Sequence, residues 1–160
     1  MIVINNFLPD ETFYAIQKNF LSTDFPWYWC SFKVKNSLEL QDINNYQFVH
    51  TFYEDNEKLS GWDIRPIIDT LKANALVRVK ANLTIGTERI IKYGFHTDNN
   101  LTCKTAIYYL NTNNGVTEFI DGTKIESVEN RIIIFDSNIK HTGTTCTDEK
   151  RRVVLNINYF

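Results

Sequence analysis

The sequence predicts a mainly β domain of the α+β class, a sandwich or jelly roll with two helices packed on one outer sheet. Three observations carry this. Two stretches before Ala75 have helical spacing. From Leu76 onward, short strand-like runs follow one another almost without a break. The pairs Asn114-Gly115 and Asp121-Gly122 between those runs are typical of tight turns joining antiparallel strands. With 160 residues and 43% hydrophobic content, the chain can build one sizeable core but not two. A single domain over 1–160 is therefore expected, with helical support over about 1–75 and a β core over about 76–160.

Residues 2–4 read as a short strand. Pro9, Asp10 and Glu11 open a helix, because proline suits a first turn and carboxylates suit its positive end. Phe13, Ile16, Phe20 and Leu21 give that helix an apolar edge to set against a sheet. Trp27, Tyr28, Trp29 and Phe32 suit a strand, residues 37–45 are polar and irregular, and 47–53 alternate as a strand. His50 lies inside that strand and reads as a hydrogen-bonded structural group.

Ile64, Ile67, Ile68, Leu71 and Ala75, with Pro66 in the first turn, predict a second helix over about 64–74. Over 76–84 the period drops to two: Val77, Val79, Ala81 and Leu83 take one face, and Arg78, Lys80 and Asn82 take the other. That charged face meets either solvent or a polar cavity. After a turn at Gly86, strands are expected over 89–98, 104–111, 117–120, 123–126, 131–136 and 151–160.

Nineteen acidic residues against 17 basic ones give a net charge of −2, with no general attraction to nucleic acid or to an anionic membrane. Cys30, Cys103 and Cys146 are odd in number and lack C-x-x-C spacing, so reduced, packed thiols are expected. The N-terminal residues resemble no export signal, and no long uncharged apolar stretch is present. A cytoplasmic location is the expectation.

His96-Thr97-Asp98 sets an imidazole and a carboxylate two residues apart, on one face of an extended segment. His141 supplies a second imidazole at a strand-to-turn boundary. Two imidazoles and one carboxylate on one side of an ion leave its opposite positions free, as suits an oxygen-activating ferrous centre. On the last strand, Arg152, Val154, Asn156 and Asn158 share one face while Val153, Leu155 and Ile157 read as core. Arg152 is thus the candidate to hold the far end of a dicarboxylate in a bidentate pair, with Arg151 as a solvated neighbour.

These residues resemble the Fe(II)/2-oxoglutarate-dependent oxygenase superfamily, in its prolyl-hydroxylase-like branch. The likeness rests on His96-Thr97-Asp98, the strand Thr105 to Asn111, the glycine before Thr117-Glu118-Phe119, His141, and the run from Arg152 to Phe160. It implies a double-stranded β-helix, the cupin-like jelly roll. It also implies Fe(II) at His96, Asp98 and His141, and 2-oxoglutarate held by Arg152 with help from Tyr109. Asn82 is a further candidate for the cosubstrate, and Tyr93 is either a wall residue or core. The implied reaction consumes O2 and 2-oxoglutarate, releases succinate and CO2, and hydroxylates a peptidyl proline, another amino-acid residue or a small molecule. The alternatives are a non-catalytic binding module and a metalloenzyme on the same jelly roll that needs no 2-oxoglutarate. Substrate contacts are expected from residues 37–45, 86–89 and 99–103.

Overall fold

The last strand of the chain sets the layering. A computed structural model describes residues 1–34, 42–98 and 101–160. Its elements in chain order are β1 (Ile2–Ile4), α1 (Asp10–Leu21), β2 (Tyr28–Cys30), β3 (Gln47–Glu54), β4 (Glu57–Lys58), α2 (Arg65–Leu71) and β5 (Leu76–Ile85). There follow β6 (Lys104–Tyr109), β7 (Asn113–Phe119), β8 (Lys124–Ser127), β9 (Ile132–Asp136), β10 (His141–Gly143) and β11 (Arg151–Tyr159). The larger sheet runs β1-β9-β6-β11-β5-β3-β2 with β4 on β3, and the smaller runs β10-β7-β8. β11 lies near the middle of the larger sheet, antiparallel to both β5 and β6.

Because successive side chains of a strand point to opposite faces, β11 divides its residues between two layers. Val153, Leu155 and Ile157 join Phe13, Ile16 and Phe20 of α1 and Ile67 and Leu71 of α2 in the main core. Val154 faces the other way and packs with Ile107, Tyr109, Ile133 and Phe135 of the same sheet and Phe119 of the smaller one. The order is therefore helices, large sheet, small sheet, the layering of a double-stranded β-helix with its site between the sheets. Each fully buried aromatic or aliphatic side chain contributes roughly 1.5–3 kcal/mol, so the helical layer is a major part of the core. His50 is structural as expected: its ring contacts the Pro26 carbonyl at 2.8 Å and the Ser60 hydroxyl at 2.7 Å. Cys30 is half-buried, and Cys103 and Cys146 are buried. Among the described residues, no helix is long and apolar enough to cross a membrane.

Four local expectations are corrected. Residues 89–98 form no strand; they run beside β10 with single bridges at Lys92–Thr144 and His96–His141. Between these the Thr142 hydroxyl takes the Tyr93 carbonyl, so a side chain replaces the ladder bond. Asn114-Gly115 is no turn but lies inside β7 at a register shift. The glycine is required there because a Cβ would stand 2.8 Å from the Thr145 carbonyl oxygen and 2.7 Å from Arg152 Cδ. The second helix stops at Leu71, where Lys72 adopts a left-handed φ of 57°. Arg151 is half-buried rather than solvated and donates to the Leu21 carbonyl at 2.7 Å.

Asn130 fastens the entry of α1 to the sheet. Its amide donates to the Leu8 carbonyl at 2.8 Å, while its Oδ1 accepts from the Leu8 N–H at 3.0 Å and the Tyr108 hydroxyl at 2.8 Å. Its φ of 58° is one that asparagine tolerates better than alanine. Asn130→Ala strands three buried polar groups and is expected to lose at least about 2 kcal/mol in denaturant unfolding. A loss below about 0.5 kcal/mol contradicts this role.

Candidate metal centre and its cavity

His96 and His141 are held together by the backbone: each N–H donates to the other's carbonyl at 3.0 Å. This bridge brings the two imidazoles to a centroid separation of 5.0 Å. Asp98 follows on the same segment, and one ligand atom from each of the three lies within 4.8 Å of the others. The Nδ1 atoms face backbone carbonyls, His96 toward Gly94 at 3.2 Å and His141 toward Ile139 at 3.1 Å. A ring that donates its Nδ1 proton backward offers Nε2 as a lone pair, the tautomer a metal needs.

Asp98 is steadied by the Asn156 amide at 3.0 Å and by Arg78 at 3.4 Å. His141 Nε2 stands 3.8 Å from Asp98 Oδ2, too far for a hydrogen bond and consistent with an ion between them. Burial and then the neighbouring His141 lower the pKa of His96, which favours the neutral, ligating form. Burial alone would raise the Asp98 carboxyl. The neighbouring His141 and Arg78 and the Asn156 amide outweigh it and hold the carboxyl below its ordinary range. Two neutral imidazoles and one carboxylate fit a borderline divalent ion such as Fe(II).

The centre opens into a cavity of about 460 Å³ between the sheets. Register places the charged face of β5 along it: Arg78 is opposite Asn158, Lys80 opposite Asn156, Asn82 opposite Val154 and Thr84 opposite Arg152. The face that the sequence left between solvent and cavity therefore lines the cavity. Arg152 is 4% exposed and donates to the Ser127 hydroxyl at 2.7 Å and the Thr117 hydroxyl at 3.0 Å. Both partners are neutral, so among the described residues this guanidinium meets no carboxylate. Gly143 keeps the space before it open, since a Cβ there would lie 3.3 Å from Arg152 Nη1 and 3.7 Å from Lys33 Nζ.

His96, Asp98, His141, Arg152 and Asn82 all line one cavity. Tyr109 does not: it is fully buried behind Arg152, its hydroxyl donating to Thr117 Oγ1 at 2.8 Å. Its part is to brace the threonine that holds the guanidinium. Tyr93 is buried and gives its ring face to Lys33 Nζ at 4.1 Å, which makes it support for Lys33 rather than cavity wall.

Sequence reasoning missed Lys33, which follows β2 and reaches Thr84 Oγ1 at 2.7 Å. It also assigned no role to Arg78, Lys80 or Asn156, although their two-residue spacing on β5 and β11 was the available signal. Of the loops expected to touch substrate, residues 37–41 and 99–100 lie outside the described residues. Turn 86–89 is tied to the 146–150 segment and lines no part of the cavity.

No protein-family model and no curated protein sequence matches the chain. Solved structures do match in fold. A prolyl hydroxylase from Trichoplax adhaerens, solved with a hypoxia inducible factor peptide fragment, has a TM-score of 0.66 at 15% identity over 99% of this chain and 82% of that one. A viral collagen prolyl hydroxylase from Paramecium Bursaria Chlorella virus-1, solved with 2-oxoglutarate, gives 0.60 at 14% over 98% and 93%. A Pseudomonas putida prolyl-4-hydroxylase gives 0.60 at 14% over 99% and 91%. The chain thus has the double-stranded β-helix fold of prolyl-hydroxylase-like 2-oxoglutarate oxygenases.

Calorimetric titration with Mn(II), a redox-stable substitute for Fe(II), is expected to show one site in the wild type. Asp98→Ala and His141→Ala are each expected to weaken it by more than about 100-fold, beyond the roughly 10–100-fold cost of losing an outer-shell partner. Binding within about threefold of wild type in either variant removes the centre.

Proposed function

We propose that the protein is an Fe(II)- and 2-oxoglutarate-dependent dioxygenase that hydroxylates an amino-acid residue of a peptide or a small molecule. One observation carries the reading: a two-histidine, one-carboxylate cluster and a buried guanidinium that meets no carboxylate among the described residues line one cavity. The fold shared with prolyl hydroxylases supports it, and the peptide in the Trichoplax adhaerens complex supports a peptide substrate.

His96, Asp98 and His141 would hold the iron through one face and leave the other to 2-oxoglutarate and O2. When bound, iron with these cosubstrates supplies the oxidising chemistry, and 2-oxoglutarate ends as succinate and CO2. The rest falls to the chain's own side chains. Arg152, fixed by Ser127 and Thr117, takes the distal carboxylate in a charge-assisted pair. Tyr109 keeps Thr117 in place, and Lys33 adds a second hydrogen-bond donor at the same end. Asn82 has a buried Oδ1 with no donor among the described residues, so its hydrogen-bonding capacity is open to what fills the cavity. Ile107, Val154 and Phe95 give the lining an apolar part that limits water around the reacting groups.

Adding Fe(II) and 2-oxoglutarate without air is expected to give a visible charge-transfer band. In Arg152→Ala the 2-oxoglutarate needed for half the band is expected to rise at least about 30-fold, the cost of truncating a buried charge pair, while Mn(II) binding persists. No band in the wild type, or an unchanged midpoint in the variant, overturns the reading.

A further inference from the structure

We infer that the substrate carries an anionic group, a carboxylate or a phosphate, seated against Lys80 and Arg78 at the metal's end of the cavity. The inference rests on the dioxygenase reading above and adds the chemical class of what is oxidised.

The cavity sets four basic side chains, Lys33, Arg78, Lys80 and Arg152, against one carboxylate, Asp98, and burial with the nearby Arg152 pushes the Lys33 ammonium well down from its ordinary range. They fall into two pairs. Lys33 and Arg152 converge on Gly143, within 3.7 Å and 3.3 Å of where its Cβ would be. Arg78 and Lys80 stand at alternate positions of β5, opposite Asn158 and Asn156, whose amides both point at Asp98. The first pair suits one end of a diacid, and the second pair is left over.

Lys80 makes no hydrogen bond and no ion pair among the described residues, yet it is largely shielded from solvent. Burial first, and the Arg78 charge second, depress its pKa, as befits an ammonium without a counter-ion. Among the described residues Arg78 reaches only Asp98, at 3.4 Å, and its buried Nε has no partner. A divalent ion on Asp98 would take up that carboxylate's charge. One carboxylate from 2-oxoglutarate at the ion then balances the ion and Asp98 but leaves both β5 cations uncompensated.

A neutral substrate filling the cavity would keep those cations desolvated and unpaired, which is costly. An anionic one gains two charge-assisted donors and relieves the repulsion between them. Since the chain as a whole is acidic, with a net charge of −2, this positive wall belongs to the cavity and not to the general surface.

The test measures succinate release by the Fe(II)-loaded protein with 2-oxoglutarate in air, using matched compounds. One arm pairs free amino acids with their amides, a second pairs Asp- and Glu-containing peptides with their Asn and Gln counterparts, and a third pairs phosphate monoesters with the parent alcohols. In at least one arm the anion is expected to half-saturate at a concentration at least about 30-fold below its neutral partner. Lys80→Met is expected to lose this discrimination and Lys80→Arg to keep it, with all three proteins forming the anaerobic Fe(II)–2-oxoglutarate band at the same midpoint. The inference is overturned when no anion outperforms its neutral partner, or when Lys80→Met still discriminates. A shifted midpoint in Lys80→Met also overturns it, by assigning the lysine to the cosubstrate. Absence of the band in the wild type is a different outcome, which removes the dioxygenase reading and this inference with it.

Discussion

The two-residue period of β11 divides the molecule into a dry half and a wet half. Strand neighbours on both sides and layers on both faces leave Arg152 through Tyr159 buried. On the helix side, Val153, Leu155 and Ile157 make core. On the other side, the same geometry drives Arg152, Asn156 and Asn158 into the space between the sheets, where polar groups need partners. Partners come from β7 and β8 for Arg152, and from Asp98 for the two asparagines. A one-residue slip of β11 would carry Arg152 into the helical core and empty the cavity of its anchor. Core packing and site chemistry are thus enforced by one register.

The smaller sheet has few residues, and its work is positional. β10 gives His141 and Gly143, while β7 gives Thr117 and the glycine that clears Arg152. The irregular segment beside β10 places His96 and Asp98 through two isolated backbone bridges and a Thr142 side-chain bond. The ligand His141 and the anchor Arg152 are alike in burial, 3% and 4% exposed.

Much of this was legible in the sequence because it depends on local periodicity. The i, i+2 pairing of His96 with Asp98 and the alternation of β11 needed only strand geometry, and α1 announced itself through Pro9 and its apolar spacing. The charged face of β5 was ambiguous because one-dimensional spacing does not say what covers a face. The smaller sheet, with the segments at 32–34 and 95–98, turns Arg78, Lys80 and Asn82 from surface into lining. Lys33 was invisible for the same reason, since its contacts with Thr84 and Tyr93 span 51 and 60 positions of sequence. Asn114-Gly115 misled because the glycine answers to the close approach of the Thr145 carbonyl and the Arg152 side chain and not to a turn.

The central claim is that one cavity binds a metal at one end and a diacid between that metal and Arg152. The most direct test is a crystal structure of the protein with Mn(II) and 2-oxoglutarate. The account predicts a single ion on His96 Nε2, His141 Nε2 and Asp98, with the keto acid on the ion and the distal carboxylate paired to Arg152. An ion held by other residues, or a diacid that leaves Arg152 without a carboxylate, contradicts it.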